Sequence, residues 1–273
     1  MKSASRWTAL GAAWAIGLSA VAGAADAPQN TSKGAKSAAA AHGSASAKSG
    51  AAFPKGHYTA LNALPDWGGV WVLNRPNGPP ERPQLKGKYL KEFEAWREEV
   101  KAKGGEVAHE GSYCTPPGMP GIMSVGQYPI EFLFTPGRVT MHHEAWMQWR
   151  NIFTDGRNHP DDLEATFQGD SIGHWEGGTL VVDTIGIKPT VALGQGMKHS
   201  PEMHIIERFH LDPKDADTLV DEMTIQDPQA LEKPWTRSLT FKRSRDWQLL
   251  EFECAENDRN PVDASGKTGF KTE

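Results

Sequence analysis

SIGHWEGGTLVVDTIGI (171–187) decides the fold class. Two runs rich in Val, Ile, Leu, Thr and Trp flank Gly177-Gly178. A two-residue glycine connection supplies the positive φ that tight hairpins require, so the segment reads as a β-hairpin. The pattern recurs on both sides. Upstream, IEFLFT (130–135) and RVTMHHE (138–144) flank Pro136-Gly137, and AWMQWRNIF (145–153) continues as a strand. Downstream, HIIERFHL (204–211) and TLVDEMTI (218–225) are joined by DPKDAD, and RSLTFKRS (237–244) pairs with WQLLEFEC (247–254) across Arg245-Asp246. WGGVWVLN (67–74) adds a short strand. Strands that follow one another through short turns, with no helical period between them, predict a mainly β fold. The expected form is an antiparallel meander closing as a calycin-like barrel, with a sandwich as the alternative.

One segment departs from this pattern. In QLKGKYLKEFEAWREEVKAKGG (84–105), Leu85, Tyr89, Phe93, Trp96 and Val100 recur at spacings of four, four, three and four. That is one face of an amphipathic helix near residues 85–103, and Gly104-Gly105 is a natural stop.

The N-terminus reads differently again. Lys2 and Arg6 precede the apolar run TALGAAWAIGLSAVAGA, which ends in the A-x-A site Ala22-Gly23-Ala24. Residues 1–24 are therefore expected to be a secretory signal peptide, with no transmembrane span after its cleavage. Residues 25–52 are almost all Ala, Ser, Gly and Lys, a composition that cannot bury enough apolar surface to order itself. They read as a disordered tether, and residues 53–273 as a single β domain. Periplasmic or secreted localisation follows. Residues 1–52 hold five Lys/Arg and one acid against a whole-chain net charge of −5, so residues 53–273 carry −9. An acidic domain argues against nucleic acid as a partner. Cys114 and Cys254 are the only cysteines. In an exported chain an even pair is most simply a disulfide.

DGRNHP (155–160), GHWEGGTLVVDT (173–184), ERF (207–209), TIQDP (224–228), PWT (234–236) and FECAEN (252–257) form a recognisable set. With it the chain resembles a group of exported, largely uncharacterised bacterial proteins of acidobacterial and sphingomonad type, over roughly residues 110–258. The resemblance implies no activity and carries no catalytic residues.

Candidate chemistry comes from alternation along the strands. In HIIERFHL, Glu207 shares a face with Ile205, Phe209 and Leu211, so either Glu207 or Arg208 is expected to be buried. A buried Glu207 is either one half of an ion pair across strands or a carboxylate at a pocket floor with a raised pKa. Along RVTMHHEAWMQWRNIF, His143 shares a face with Val139 and Met141. His142 and Glu144 lie opposite, and Arg150 continues their face if no bulge intervenes. In DGRNHP, Arg157 and His159 are candidates to project over the barrel mouth, Arg157 holding an anionic group and His159 acting as acid/base. The alternative is that Asp155 caps the turn and Arg157 pairs with a neighbouring acid. The catalytic candidates are therefore His159, Arg157, Glu207 and Asp155. The ligand-binding candidates are Arg150, His174, Trp149, Trp175 and His143.

No GxSxG elbow, P-loop or GxGxxG motif is present, and the His-His-Glu run matches no zinc spacing. Met119, Met123, Met197, His199, Met203 and His204 offer a soft donor set for copper, with gap-filling methionine as the alternative. No metal site and no cofactor is assigned. The expected function is an exported barrel binding a small aromatic or apolar molecule, as a cofactor-independent acid/base enzyme (lyase, isomerase or hydrolase). The alternatives are a non-catalytic carrier of such a small-molecule ligand and a periplasmic copper or zinc binder. The oligomeric state stays open.

Overall fold

A computed structural model describes residues 58–74, 81–104 and 114–254. The signal peptide and tether expected over residues 1–52 lie outside the described residues, as does the end of the FECAEN motif. Among the described residues nine strands form one closed barrel: β1 (Val70–Asn74), β2 (Ile130–Thr135), β3 (Arg138–His143), β4 (Gln148–Phe153), β5 (Asp170–Glu176), β6 (Thr179–Ile185), β7 (His204–Asp212), β8 (Asp215–Gln226) and β9 (Trp235–Ser244). Each strand pairs with the next, and β9 closes on β1 through five residue pairs. Among the described residues a single α-helix, α1 (Gly87–Ala102), buries Tyr89, and Leu85 just before it bridges to Leu231. No helix among the described residues is long and apolar enough to cross a membrane.

The strand periodicity carries into the core. On β6 Leu180, Val182 and Thr184 are fully buried, and on β7 Ile205, Glu207 and Phe209 are. These alternate positions face one interior and meet in register, Val182 opposite Glu207 and Leu180 opposite Phe209. Gly177 takes φ +60° and turns β5 into β6, as the Gly-Gly signal requires. At one end of the barrel Trp67 is packed edge-on against Phe132 and Phe134 and tilted against Trp175 and Phe209.

Three departures from the expected meander matter for function. First, β4 and β5 run parallel and share only two pairs, Ile152 with Ser171 and Phe153 with Ile172. An up-and-down hairpin would have made them antiparallel. Instead residues 154–169, which contain the charged DGRNHP loop, carry the chain back to the starting end of the barrel outside the wall. Second, residues 138–153 are not one strand. Trp146 and Met147 adopt φ of +55° and +48° and reverse the chain, so β4 lies antiparallel on β3. Met141 then stands opposite Arg150, which moves Arg150 to the face of Met141 and His143 and away from that of His142. Third, WQLLEFEC (247–254) is not a strand. β9 already has β8 on one edge and β1 on the other, so no edge remains to pair with it. The segment runs as a strap in which the Leu250 amide donates to Glu144 Oε2 at 2.7 Å. Phe252 meets Tyr128 and Trp146, and the Cys114–Cys254 disulfide fastens the end. The bond closes a sequence separation of 140 residues.

Candidate functional site

The barrel interior is apolar apart from a few ionisable side chains, and these sort by whether their hydrogen bonds are made. Arg150 on β4 is 1% exposed and Glu207 on β7 is fully buried. The two form a bidentate pair, Nη1 donating to Oε1 at 2.9 Å and Nη2 to Oε2. The remaining donors of Arg150 reach Ser171 Oγ at 3.2 Å, Thr184 Oγ1 at 2.8 Å and Met141 Sδ at 3.9 Å. All five N–H groups of the guanidinium are thus used. A pair this complete holds the wall together and leaves neither partner available to a ligand.

Asp221 and Arg237 are the opposite case. Asp221 on β8 is fully buried, and neither carboxyl oxygen meets a hydrogen-bond partner. Asp221 stands opposite Phe209 and Leu239, while Met223 stands opposite Glu207 and Arg237. Asp221 is therefore diagonal to both charged residues on one interior face. Burial, and then the Glu207 carboxylate, push its pKa well above the usual carboxylate range, with Arg150 and Arg237 opposing. Arg237 is half-buried, and burial lowers its pKa against the pull of Asp221. Its hydrogen bond goes to Ser124 Oγ at 2.5 Å, its Cζ lies 5.0 Å from the Trp235 ring centroid, and among the described residues no carboxylate stands within ion-pair distance. His143 on β3 is 1% exposed, its Nε2 has no partner, and burial lowers its pKa to about 3. It is a neutral imidazole at physiological pH.

Arg237 also borders the outside. It lines a cleft of about 550 Å³ between α1 and the barrel, with Phe93, Trp96 and Trp235 among the walls and Ser124 beside it. A second cleft of about 860 Å³, lined by Tyr89, Thr190 and His199 among others, also borders Trp96.

Asp221 gives a test by pH. In the unfolded chain it loses its proton above pH 3.8, while in the folded chain it keeps it to higher pH. The folded state then binds more protons, so this residue's contribution to stability declines as pH rises from about 4 towards the folded pKa. Asp221→Asn should be more stable than the parent at pH 7, and the difference should shrink towards pH 4. Urea unfolding at several pH values measures it; a difference independent of pH would refute the assignment.

The residues expected from sequence fall in different places. Arg150, Glu207 and His143 are inside the barrel. Trp175 is part of the aromatic packing around Trp67. His174 is exposed and pairs with Glu176, which also accepts from Arg208. The DGRNHP loop does not reach into the barrel. Arg157 forms a two-pronged pair with Asp155, Nη2 to Oδ2 at 2.6 Å, and lies 3.9 Å over the Phe153 ring. That bond holds the Asp155 carboxyl below its ordinary pKa. His159 meets Asp170 at 2.5 Å and Asp183 at 3.3 Å, and Asp183 also bonds His204 at 2.6 Å. Asp183 alternates with the buried Val182 and Thr184, so this chain of groups lies on the outer wall. The cause is the parallel step from β4 to β5, which routes the loop outside. Trp149 is also on the outer face, half exposed and stacked on His142 with ring centroids 3.7 Å apart.

Met119, Met123 and Met203 are core residues, His199 bonds the carbonyls of Lys188 and Ser200, and His204 bonds Asp183. Among the described residues no three His, Cys, Asp or Glu side chains are grouped to hold a metal ion.

Asp221 and Arg237 were missed by the sequence reading, yet a signal existed. Asp221 lies in the row Leu219, Asp221, Met223, Ile225, and Arg237 in the row Trp235, Arg237, Leu239, Phe241. This is the same one-polar-in-an-apolar-row pattern that singled out Glu207. Neither the protein-family models nor the curated proteins compared with this chain match it.

Proposed function

We propose that the protein is a small-molecule-binding barrel whose ligand is a compact aromatic or apolar anion held in the cleft beneath α1. Arg237 carries this reading. It is a partly desolvated guanidinium with no carboxylate in ion-pair reach among the described residues, set at the wall of a cleft that includes three aromatic rings. A buried charge is stabilised by an opposite charge, and a planar guanidinium accepts a carboxylate or phenolate two-pronged. Phe93, Trp96 and Trp235 supply the apolar contact. The cleft volume lies within the usual range for ligand pockets. The Cys114–Cys254 disulfide supports a compartment outside the reducing cytosol.

Asp221 favours catalysis over simple carriage. A proton-bearing carboxyl one row deeper than the anion-binding arginine is what cofactor-independent proton transfer uses. His159, on the outer wall, has no part in this reading. The test is titration of the full-length protein with a panel of aromatic carboxylates, followed by intrinsic tryptophan fluorescence. Saturable changes are expected. Arg237→Gln should weaken binding about tenfold or more, the value of a hydrogen-bonded charge. If no member saturates, or if Arg237→Gln binds as well as the parent, the reading fails.

A further inference from the structure

The two shared pairs join the last two residues of β4 to the second and third residues of β5, so the earlier part of β4 runs beside the residues that precede β5 without ladder pairing. A pocket of about 320 Å³ lies between β4 and this leading segment, lined by Trp149, Asn151, Phe167, Gln168, Asp170 and others. Gln168 is only 8% exposed, and both its side-chain oxygen and its nitrogen are buried without a hydrogen-bond partner. A primary amide left in that state costs stability unless something fills its bonds. Gly169 next to it takes φ +72°, and a Cβ there would lie 2.6 Å from the Ile185 carbonyl oxygen. The turn that sets Gln168 into the wall therefore depends on glycine.

The other groups in the pocket are complementary to the amide. Trp149 is 49% exposed, a large apolar ring standing on the outer face of a strand. One side of its indole is covered by His142, nearly parallel at 6°. Burial lowers the pKa of His142, so the ring behind the indole is uncharged. The stack fixes the indole and leaves its other side for a ligand. Asn151 accepts from Thr140 Oγ1 through its side-chain oxygen at 2.9 Å, which leaves its NH₂ group as a donor. Asp170 is held in place by His159 Nδ1.

We propose that this pocket binds a pyranose sugar, the C–H face of one ring stacking on Trp149 and its hydroxyls bonding Gln168, Asn151 and Asp170. A hydroxyl both donates and accepts, which matches a carboxamide with both capacities unused. Asp170 requires a donor, which disfavours the anionic ligand assigned to the cleft under α1. The volume is at the small end of ligand pockets, roughly 300–1,000 Å³, and suits one ring. The site is on the outer wall and does not depend on the reading of that cleft.

The test is calorimetric or NMR titration of the disulfide-intact protein with cellotetraose and chitotetraose, with adenosine as a stacking control. At least one oligosaccharide should bind saturably, and adenosine should not. Trp149→Ala should abolish the binding, and Gln168→Leu should weaken it at least tenfold. Gln168→Leu should also unfold at the same or a higher temperature than the parent, because it removes a buried polar group without a partner. The proposal is overturned if neither oligosaccharide binds, if both variants bind like the parent, or if adenosine binds equally well. Loss of stability in Gln168→Leu would equally overturn it, because the amide would then be a structural group.

Discussion

Arg150→Met is expected to destabilise the protein by about 3–5 kcal/mol, the usual cost of stranding one member of a buried ion pair. The substitution removes five donors at once. It leaves Glu207 fully buried with both oxygens unpaired, and Ser171 and Thr184 without the group that joins them. Methionine fills comparable space and is uncharged, so most of the loss comes from the orphaned carboxylate and little from a cavity. The double variant Arg150→Met/Glu207→Leu should recover much of the deficit, because replacing a whole buried pair with apolar groups is often close to neutral. Denaturant unfolding of the two single variants and the double one completes the cycle. A loss below about 1 kcal/mol in Arg150→Met would show that the pair is not the fastening described here.

The second large effect is acid sensitivity arising at His143. In the unfolded chain this histidine takes up a proton below about pH 6.5, whereas the folded protein resists protonation until about pH 3. The unfolded state therefore binds more protons across that window. The contribution of His143 to stability is complete above pH 6.5 and is lost as pH falls towards 3. The gap corresponds to a loss on the order of 5 kcal/mol. His143→Met should remove this slope, so that the difference in unfolding free energy between variant and parent changes steeply from pH 7 to pH 4. Asp221 acts in the opposite direction over an overlapping range, so the two slopes partly cancel in the parent and separate in the variants. If the His143→Met difference stays flat with pH, the histidine is not buried as a neutral ring.

Much of the fold was legible because β-hairpins announce themselves. Gly177-Gly178 and Pro136-Gly137 sit where they must between alternating runs, and a mainly β meander follows from the short turns, whereas the choice of barrel over sandwich required the pairing of β9 with β1. What was not legible were features whose cause is distant in sequence. Trp146 and Met147 hold a left-handed turn with no glycine to signal it, so residues 138–153 read as one strand, and the face given to Arg150, conditional on that strand being unbroken, is reversed. The direction of β5 depends on a long connection whose residues describe a loop but not where it leads. That one uncertainty moved Arg157 and His159 from the mouth to the outer wall. Glu207 was readable as one of two candidates for burial, with Arg208, but the choice between them and its partner 57 residues away required the register. Gln168 offered no pattern at all, because its burial arises where two strands fail to pair.

The sparse junction between β4 and β5 also bears on how the chain assembles. β2 to β4 and β5 to β9 are two stretches in which each strand pairs with its immediate sequence neighbour, mostly across short turns. Contacts so local form quickly. The chain then has to join the two stretches at the short parallel junction and bring β1 from near the start of the domain to β9 near its end. Arg150 belongs to the first stretch and Glu207 to the second, so their five-donor contact comes into being only when the wall is complete. It behaves as a latch and not as a nucleus. The stability lost in Arg150→Met should therefore appear mainly as faster unfolding, with the folding arm of the chevron little changed.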